Sequence, residues 1–376
     1  AGDPVEVVVI GGGIAGASAA CFLAQAGGRV TILEAEPVLA HHTTGRSAAV
    51  YLENYGADPV RRLTLASRAF LASPPTGLTD VPLLAPRGLL DVGGPGSAEQ
   101  VQAHAVRGAA LVPGVRALTP EECVEWCPVL LPQLLSGGVL EPDAQDIDVM
   151  ALHAAFLRAV RAEGGQVRAH TPVVALERAD GRWLATTPEG AVGADLVVNA
   201  AGAWGDAVAA LAGVAPVGLR PLHRTAFIAT LPAGVDARRW PLVQDLAEQW
   251  YFKPEGDGLL CSLADEEPTQ PGDARPREED VALALERIND ATTLGLRHVR
   301  TAWAGQRTFA GDRAPVIGPD PDVPGFVWLV GLGGFGIMTA PAVGMLAASL
   351  ALGRPLPGDL QPWAVDPADY APDRCR

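Results

Sequence analysis

Residues 5–34 carry the pattern that most narrows what this chain can become. The apolar run Val5-Glu6-Val7-Val8-Val9-Ile10 leads into Gly11-Gly12-Gly13-Ile14-Ala15-Gly16. A small-residue stretch follows to about Ala26, and a second apolar run, Val30-Thr31-Ile32-Leu33, ends at Glu34. With 43 glycines in 376 residues, a glycine cluster alone says little. The full order of strand, glycine turn, helix, strand and acid predicts a βαβ unit that binds a dinucleotide. Gly11 permits the tight turn, Gly13 lets a pyrophosphate approach the backbone, and Gly16 lets the helix pack closely on the sheet. The helix N-terminus offers N–H groups and partial positive charge to phosphates. Glu34 is placed to accept hydrogen bonds from an adenosine ribose. The motif does not separate NAD from FAD.

The length exceeds one ordinary core, so two domains are expected. A content of 48% hydrophobic and 19% charged residues is that of a folded globular protein. The formal charge of −15 argues against nucleic acid or an anionic membrane as partner. Cys21, Cys123, Cys127, Cys261 and Cys375 are scattered, and no further ligands accompany the Cys123/Cys127 pair. Inert thiols, no metal site and a cytoplasmic location are the expectation, with no signal peptide ahead of the first strand. Gly325–Gly353 lacks charge, but its glycines and Pro341 fit a buried strand (Phe326–Val330), a turn and a packed helix (about Thr339–Leu350) better than a membrane span.

The strand–glycine–helix pattern recurs at Asp195–Asn199, followed by Ala200-Ala201-Gly202-Ala203 and a helix to Leu211, and again at Phe326–Val330. Three such apolar strands read as neighbours in a parallel sheet buried on both faces. Residues 81–140 are rich in Pro and Gly. Residues 216–310 alternate like antiparallel strands (Thr225–Ala229, Gln249–Lys253, Gly258–Ser262), interrupted by an amphipathic helix over about Glu278–Thr293. The expected class is α/β with an α+β second part. A Rossmann-like nucleotide domain is assigned to residues 1–80, 141–215 and 308–376. A substrate domain on a mixed or antiparallel sheet is assigned to 81–140 and 216–307.

After Glu34 comes His41-His42-Thr43-Thr44-Gly45-Arg46-Ser47-Ala48-Ala49. With the N-terminal pattern and the segments YGADPVRRLTLASRAF, NAAGAWGDAVAALAGV, WYFKP, TAWAGQRTF and GGFGIMT, the chain resembles the D-amino-acid oxidase/glycine oxidase superfamily. Within it, the chain resembles the bacterial FAD-dependent D-arginine dehydrogenases. The resemblance implies FAD, bound non-covalently since no attachment residue stands out at Val50 or elsewhere. It implies that Gly11, Gly13, Ile14, Ala15, Gly16, Glu34 and Ala35 hold the adenosine end, and that Thr43, Thr44, Gly45, Arg46, Ser47 and Ala48 run along the pyrophosphate, ribityl chain and ring. Val174, in an expected strand Pro172–Ala175, would meet adenine. Ala201, Gly202 and Trp204 would line the same site. Gly333, Gly334, Phe335, Gly336, Ile337 and Met338 would cap the flavin pyrimidine, where a helix N-terminus stabilises negative charge on the reduced ring.

The resemblance also implies a substrate clamp. Arg307 would hold a carboxylate bidentately, Tyr251 would donate to it, Arg224 would lie nearby, and Tyr55 would cover the substrate from a loop. At the positions that set side-chain specificity this chain departs from the D-arginine enzymes. Leu89 replaces a glutamate that receives the guanidinium, Gln244 replaces an apolar pocket residue, and Glu53 enters the covering loop as an exposed acid. Without the glutamate a cationic substrate would be buried unpaired, so Leu89 favours neutral D-amino acids, with Glu53 able to restore some affinity for basic ones. The implied reaction is dehydrogenation of a D-amino acid by hydride transfer to flavin N5. The imino acid is then hydrolysed to a 2-oxo acid and ammonia, with a quinone-type acceptor or O2 and a monomer or homodimer. Two alternatives stay open: a glycine- or sarcosine-type oxidase with a smaller pocket, and a flavin module that only passes electrons on.

Overall fold

A computed structural model describes residues 3–376. The three apolar runs are the centre of one six-stranded sheet. In spatial order its strands are Val316–Pro319, Phe326–Val330, Leu196–Asn199, Glu6–Ile10, Arg29–Leu33 and Gln166–Arg168. All neighbours are parallel except the Val316–Pro319 edge, which returns antiparallel. Continuous apolar sequence suits strands covered on both faces, and Phe326–Val330 is buried throughout.

Small residues govern how the covering helices meet. The helices Ile14–Gln25 and Gly336–Ala351 lie so close that a Cβ on Gly344 would sit 2.0 Å from Ser18 Oγ. Pro341 lies inside the second helix without breaking it. The Ser18 hydroxyl donates to the Ala340 carbonyl, and Ser67 Oγ accepts the Ala342 N–H at 3.1 Å. These partners satisfy backbone groups around the proline inside a protein core. The uncharged stretch is therefore packed strand and helix as expected, the helix beginning at Gly336, ahead of Thr339. Among the described residues no helix is long and apolar enough to cross a membrane.

The second large sheet has nine strands, mostly antiparallel. Its order runs from Glu267–Pro268 through Arg220–Thr230, Gly258–Ser262, Tyr251–Glu255, Leu242–Asp245, Leu89–Gly93 and Gly137–Glu141 to Arg116–Leu118, with Val299–Phe309 also on Arg220–Thr230. One pairing, Leu242–Asp245 with Leu89–Gly93, is parallel, so the sheet is mixed. The Pro/Gly-rich region holds two helices, Ala98–Leu111, and Pro120–Trp126 capped by a Thr119/Glu122 capping box. The amphipathic helix is Glu278–Ala291. It packs with Phe227, Phe252 and Trp250 on one face of the sheet. The other face, with Leu89, Leu242, Tyr251 and Leu260, shares a core with the helices of the parallel sheet. All five cysteines are free.

Candidate active site

A cavity of about 430 Å³ runs from the Gly11–Ile14 turn to the inner face of the mixed sheet. The turn is built tightly. Gly11 has φ +109°, and a Cβ there would lie 2.3 Å from the Ala200 carbonyl oxygen; one on Gly16 would lie 1.9 Å from that of Gly11. The Glu34 carboxylate accepts the Gly12 N–H at 2.7 Å and the Glu36 N–H at 2.8 Å while lining the cavity. Thr44 Oγ1 accepts the Ile14 N–H at 3.0 Å. His153 Nε2 lies 2.8 Å from the Gly12 carbonyl, and burial lowers its pKa, so the neutral ring donates to that carbonyl. His153 had no signal in the sequence, because it arrives from a helix 141 residues away.

Of the expected cofactor residues, the cavity wall includes Gly11, Gly13, Ile14, Ala15, Glu34, Ala35, Thr43, Thr44, Arg46, Ser47, Ala48, Ala201, Gly202, Trp204, Gly333, Gly334, Gly336 and Ile337. Met338 borders an adjoining chamber instead. Gly16, Gly45 and Phe335 stand behind the wall. Gly45 makes room for the Ala40 carbonyl, and Phe335 packs edge-on against Phe309, 6.1 Å between centroids. Val174, whose backbone was expected to meet adenine, lies just ahead of the strand that begins at Ala175; its side chain is 53% exposed, and its neighbours Pro172 and Val173 line the cavity. Arg46 borders the cavity, but its guanidinium is spent on protein. It donates to the carbonyls of Ala304 at 2.9 Å and Ala274 at 3.0 Å and pairs with Asp273 at 2.6 Å. His41, His42, Gln306 and Thr308 also line the cavity and were not expected.

Strand register assembles the other end. Arg224 stands opposite Gly305, which puts Arg307 diagonally beside it on the same face. Ala226 pairs with Ser262, Ser262 with Tyr251 and Tyr251 with Gln244, so this row shares that face. Arg307 Nη1 donates to the Tyr55 hydroxyl at 3.2 Å. Among the described residues no carboxylate lies within 4.0 Å of Arg307, whereas Arg224 donates to the Asp265 carbonyl at 2.9 Å and pairs with Glu266 at 3.3 Å. Burial would raise the Tyr251 pKa, but Arg307 and Arg224 together pull it below its ordinary value. A Cβ on Gly334 would come within 2.6 Å of Arg307 Cζ, so a side chain there would displace the guanidinium.

Gln244 and Tyr55 line the smaller chamber of about 70 Å³ beside Arg307, with Leu52, Leu242, Glu248 and Ala264. Two specificity residues do not reach it. Leu89 is buried, and its partner in register, Leu242, forms the wall. Glu53 is not an exposed loop acid: it is 7% exposed, ion-paired to Arg68, and accepts the Tyr51 hydroxyl at 3.1 Å. The acid that does border the chamber is Glu248, at φ +55° in the turn before Trp250.

The profile of the family described as "FAD dependent oxidoreductase" matches residues 6–350. The chain belongs to this family. Mouse mitochondrial dimethylglycine dehydrogenase is 26% identical over 98% of the chain, which spans only 44% of that protein. Glycine oxidase of Bacillus licheniformis is 25% identical, over 93% of this chain and 94% of that one. The crystal structure of glycine oxidase from Geobacillus kaustophilus superposes with a TM-score of 0.83 at 23% identity, covering 97% and 99% of the two chains. The family oxidoreductase fold is thus shown, and its cofactor is FAD. The residues present fit that group. The glycine turn leaves no room for side chains at Gly11 and Gly16, and two buried polar atoms of cavity residues, Thr308 Oγ1 and His42 Nδ1, have no protein partner.

Proposed function

We propose that this FAD-dependent oxidoreductase dehydrogenates a neutral D-amino acid, and that FAD is held non-covalently. The observation that carries the reading is Arg307: a cation bordering the cavity without a carboxylate partner, beside Tyr251, Arg224 and the Tyr55 hydroxyl. Such a group is a ready partner for a substrate carboxylate. In this reading Arg307 and Tyr251 take the carboxylate, Arg224 adds positive potential, and Tyr55 closes over it. FAD, when bound, supplies the two-electron acceptor for the hydride that leaves Cα. The amine loses its proton to water or to Glu248, giving an imino acid that water hydrolyses to a 2-oxo acid and ammonia. Most of the acceleration then comes from positioning.

The likeness to D-arginine dehydrogenases belongs to this proposal, as does the division into an FAD part (1–80, 141–215, 308–376) and a substrate part. So does the acceptor, a quinone-type compound or O2. A second reading, oxidation of glycine or an N-methylated glycine, is favoured by the small chamber and by the relatives' names. Anaerobic mixing of the FAD-loaded protein with D- and L-amino acids, glycine, sarcosine and dimethylglycine separates them. Bleaching near 450 nm by neutral D-amino acids is the expected result. Bleaching only by the glycine derivatives selects the second reading, and no bleaching by any amine defeats both. Admitting air then reports whether O2 accepts the electrons.

A further inference from the structure

Three carboxylates are buried close together where the loop carrying Tyr55 crosses the mixed sheet: Glu53, Asp91 and Glu141. Two of them have a basic side chain against them: Glu53 is ion-paired to Arg68, and Asp91 lies 3.1 Å from His104 Nε2. Among the described residues Glu141 has none. Its Oε1 accepts the Glu53 backbone N–H at 3.0 Å, and its Oε2 accepts Asn54 Nδ2 at 3.3 Å. These are the two residues immediately before Tyr55, whose hydroxyl accepts from Arg307. A further bond, from Arg61 Nε to the Asn54 carbonyl at 3.1 Å, ties the loop to the helix Asp58–Ala72. The Asn54 Oδ1 is buried without a partner.

We infer that Glu141 is a positioning residue for the substrate clamp: its carboxylate fixes Glu53 and Asn54, and through them the seat of Tyr55 on Arg307. This rests on the reading of Arg307 as the carboxylate site. Glu141 stands opposite Leu89 at the end of its strand, on the face that carries Gln244 and Tyr251, so the sheet supplies a rigid base and the loop the movable part.

The arrangement responds to protons. Ionised, Glu141 offers acceptors to both donors. Protonated, one oxygen becomes a donor: it opposes the Asn54 N–H, or the amide turns its unpartnered Oδ1 inward and a neutral bond replaces a charge-assisted one; in both cases the charge-assisted grip on the Glu53 and Asn54 donors is lost. Burial pushes the Glu141 pKa up to about 7, against the pull of the two hydrogen bonds and with the Glu53 and Asp91 charges adding to the rise. The groups facing it are Glu53 and Asn54 from the loop, with Arg68 and the Tyr51 hydroxyl on Glu53, and Asp91 from the sheet, with His104 on it. Loop anchoring therefore changes around neutral pH.

The test uses FAD-loaded protein and two readouts. Hydrogen exchange of the Glu53 amide, corrected for the intrinsic pH dependence, needs no substrate. Wild type should be about tenfold more protected at pH 8 than at pH 6, while E141Q shows low protection at both. Acetate, a carboxylate without an amine, should bind to wild type several-fold more tightly at pH 8 than at pH 6, read from the flavin spectrum, and with equal weakness to E141Q at both. Glu141→Asp, which keeps an ionisable group, should restore part of the pH dependence. Identical pH dependence in wild type and E141Q overturns the inference. If E141Q does not fold, equal wild-type protection at the two pH values overturns it as well. Expected exchange behaviour with no acetate binding to either protein would instead overturn the clamp reading, and with it any action of Glu141 on substrate.

Discussion

A half-buried cation that borders the cavity without a carboxylate partner has a definite consequence at Arg307. Neutralising it removes the proposed partner for a substrate carboxylate without touching the Gly11–Ile14 turn at the other end of the cavity. Arg307→Met should raise KM by about two orders of magnitude or more, while the flavin spectrum and FAD content stay those of wild type. Unchanged KM for the best substrate of the panel would refute the assignment. Thiol chemistry gives a second residue-scale expectation. Burial pushes the pKa of Cys21 up to about 12, of Cys127 up to about 12 and of Cys123 up to about 11, and that of Cys261 higher still. At neutral pH these groups are thiols and shielded, so iodoacetamide should label native protein at Cys375 alone, a half-buried site, as peptide mapping would show. Residue identity was legible in the sequence at this scale, but residue environment was not. Glu53 read as a loop acid in solvent, yet Arg68, fifteen residues on along the chain, folds back to pair with it and takes it out of the chamber.

The elements that position the site are the glycine turn at 331–334 and the two long strands it docks against. Gly333 has φ +49°, and a Cβ there would meet the Phe309 ring at 2.1 Å; Gly334 leaves room for the Arg307 guanidinium. Gly334→Ala should therefore act on substrate capture, displacing Arg307 and raising KM about tenfold or more, with FAD retained. Gly333→Ala, strained in backbone as well as packing, should also lower the melting temperature. Equal effects of the two on stability would show that the turn is merely tight and that Arg307 does not depend on it. The elements themselves were largely readable. Apolar runs bounded by glycines gave the three central parallel strands, since that pattern follows from burial on both faces. Helix ends and edge strands were less so. The strand expected over Pro172–Ala175 begins only at Ala175, where its ladder with Arg182–Thr186 starts, and residue composition does not encode the pairing.

At the scale of the whole molecule, the cavity depends on two sheets being held face to face. One tie is Arg46, whose guanidinium leaves the loop beside the parallel sheet to reach the Ala304 and Ala274 carbonyls and Asp273. Arg46→Ala leaves those carbonyls without a charged donor. It should weaken FAD retention, read as faster flavin loss on gel filtration, and lower the melting temperature by several degrees. Asp273→Asn should do much less, because that partner is half exposed and its pairing is screened by solvent. The sequence by itself determined the parallel βαβ core, the dinucleotide class of ligand and the family, because each is written in contiguous residues whose spacing matches a local geometry. Only the tertiary structure decided which groups face the smaller chamber beside Arg307. Strand register carries Arg224, Tyr251, Gln244 and Arg307 onto one face, sets Leu242 where Leu89 was expected, and sets Glu141 under the Tyr55 loop. Register is fixed by packing between segments far apart in the chain, so no local pattern can announce it.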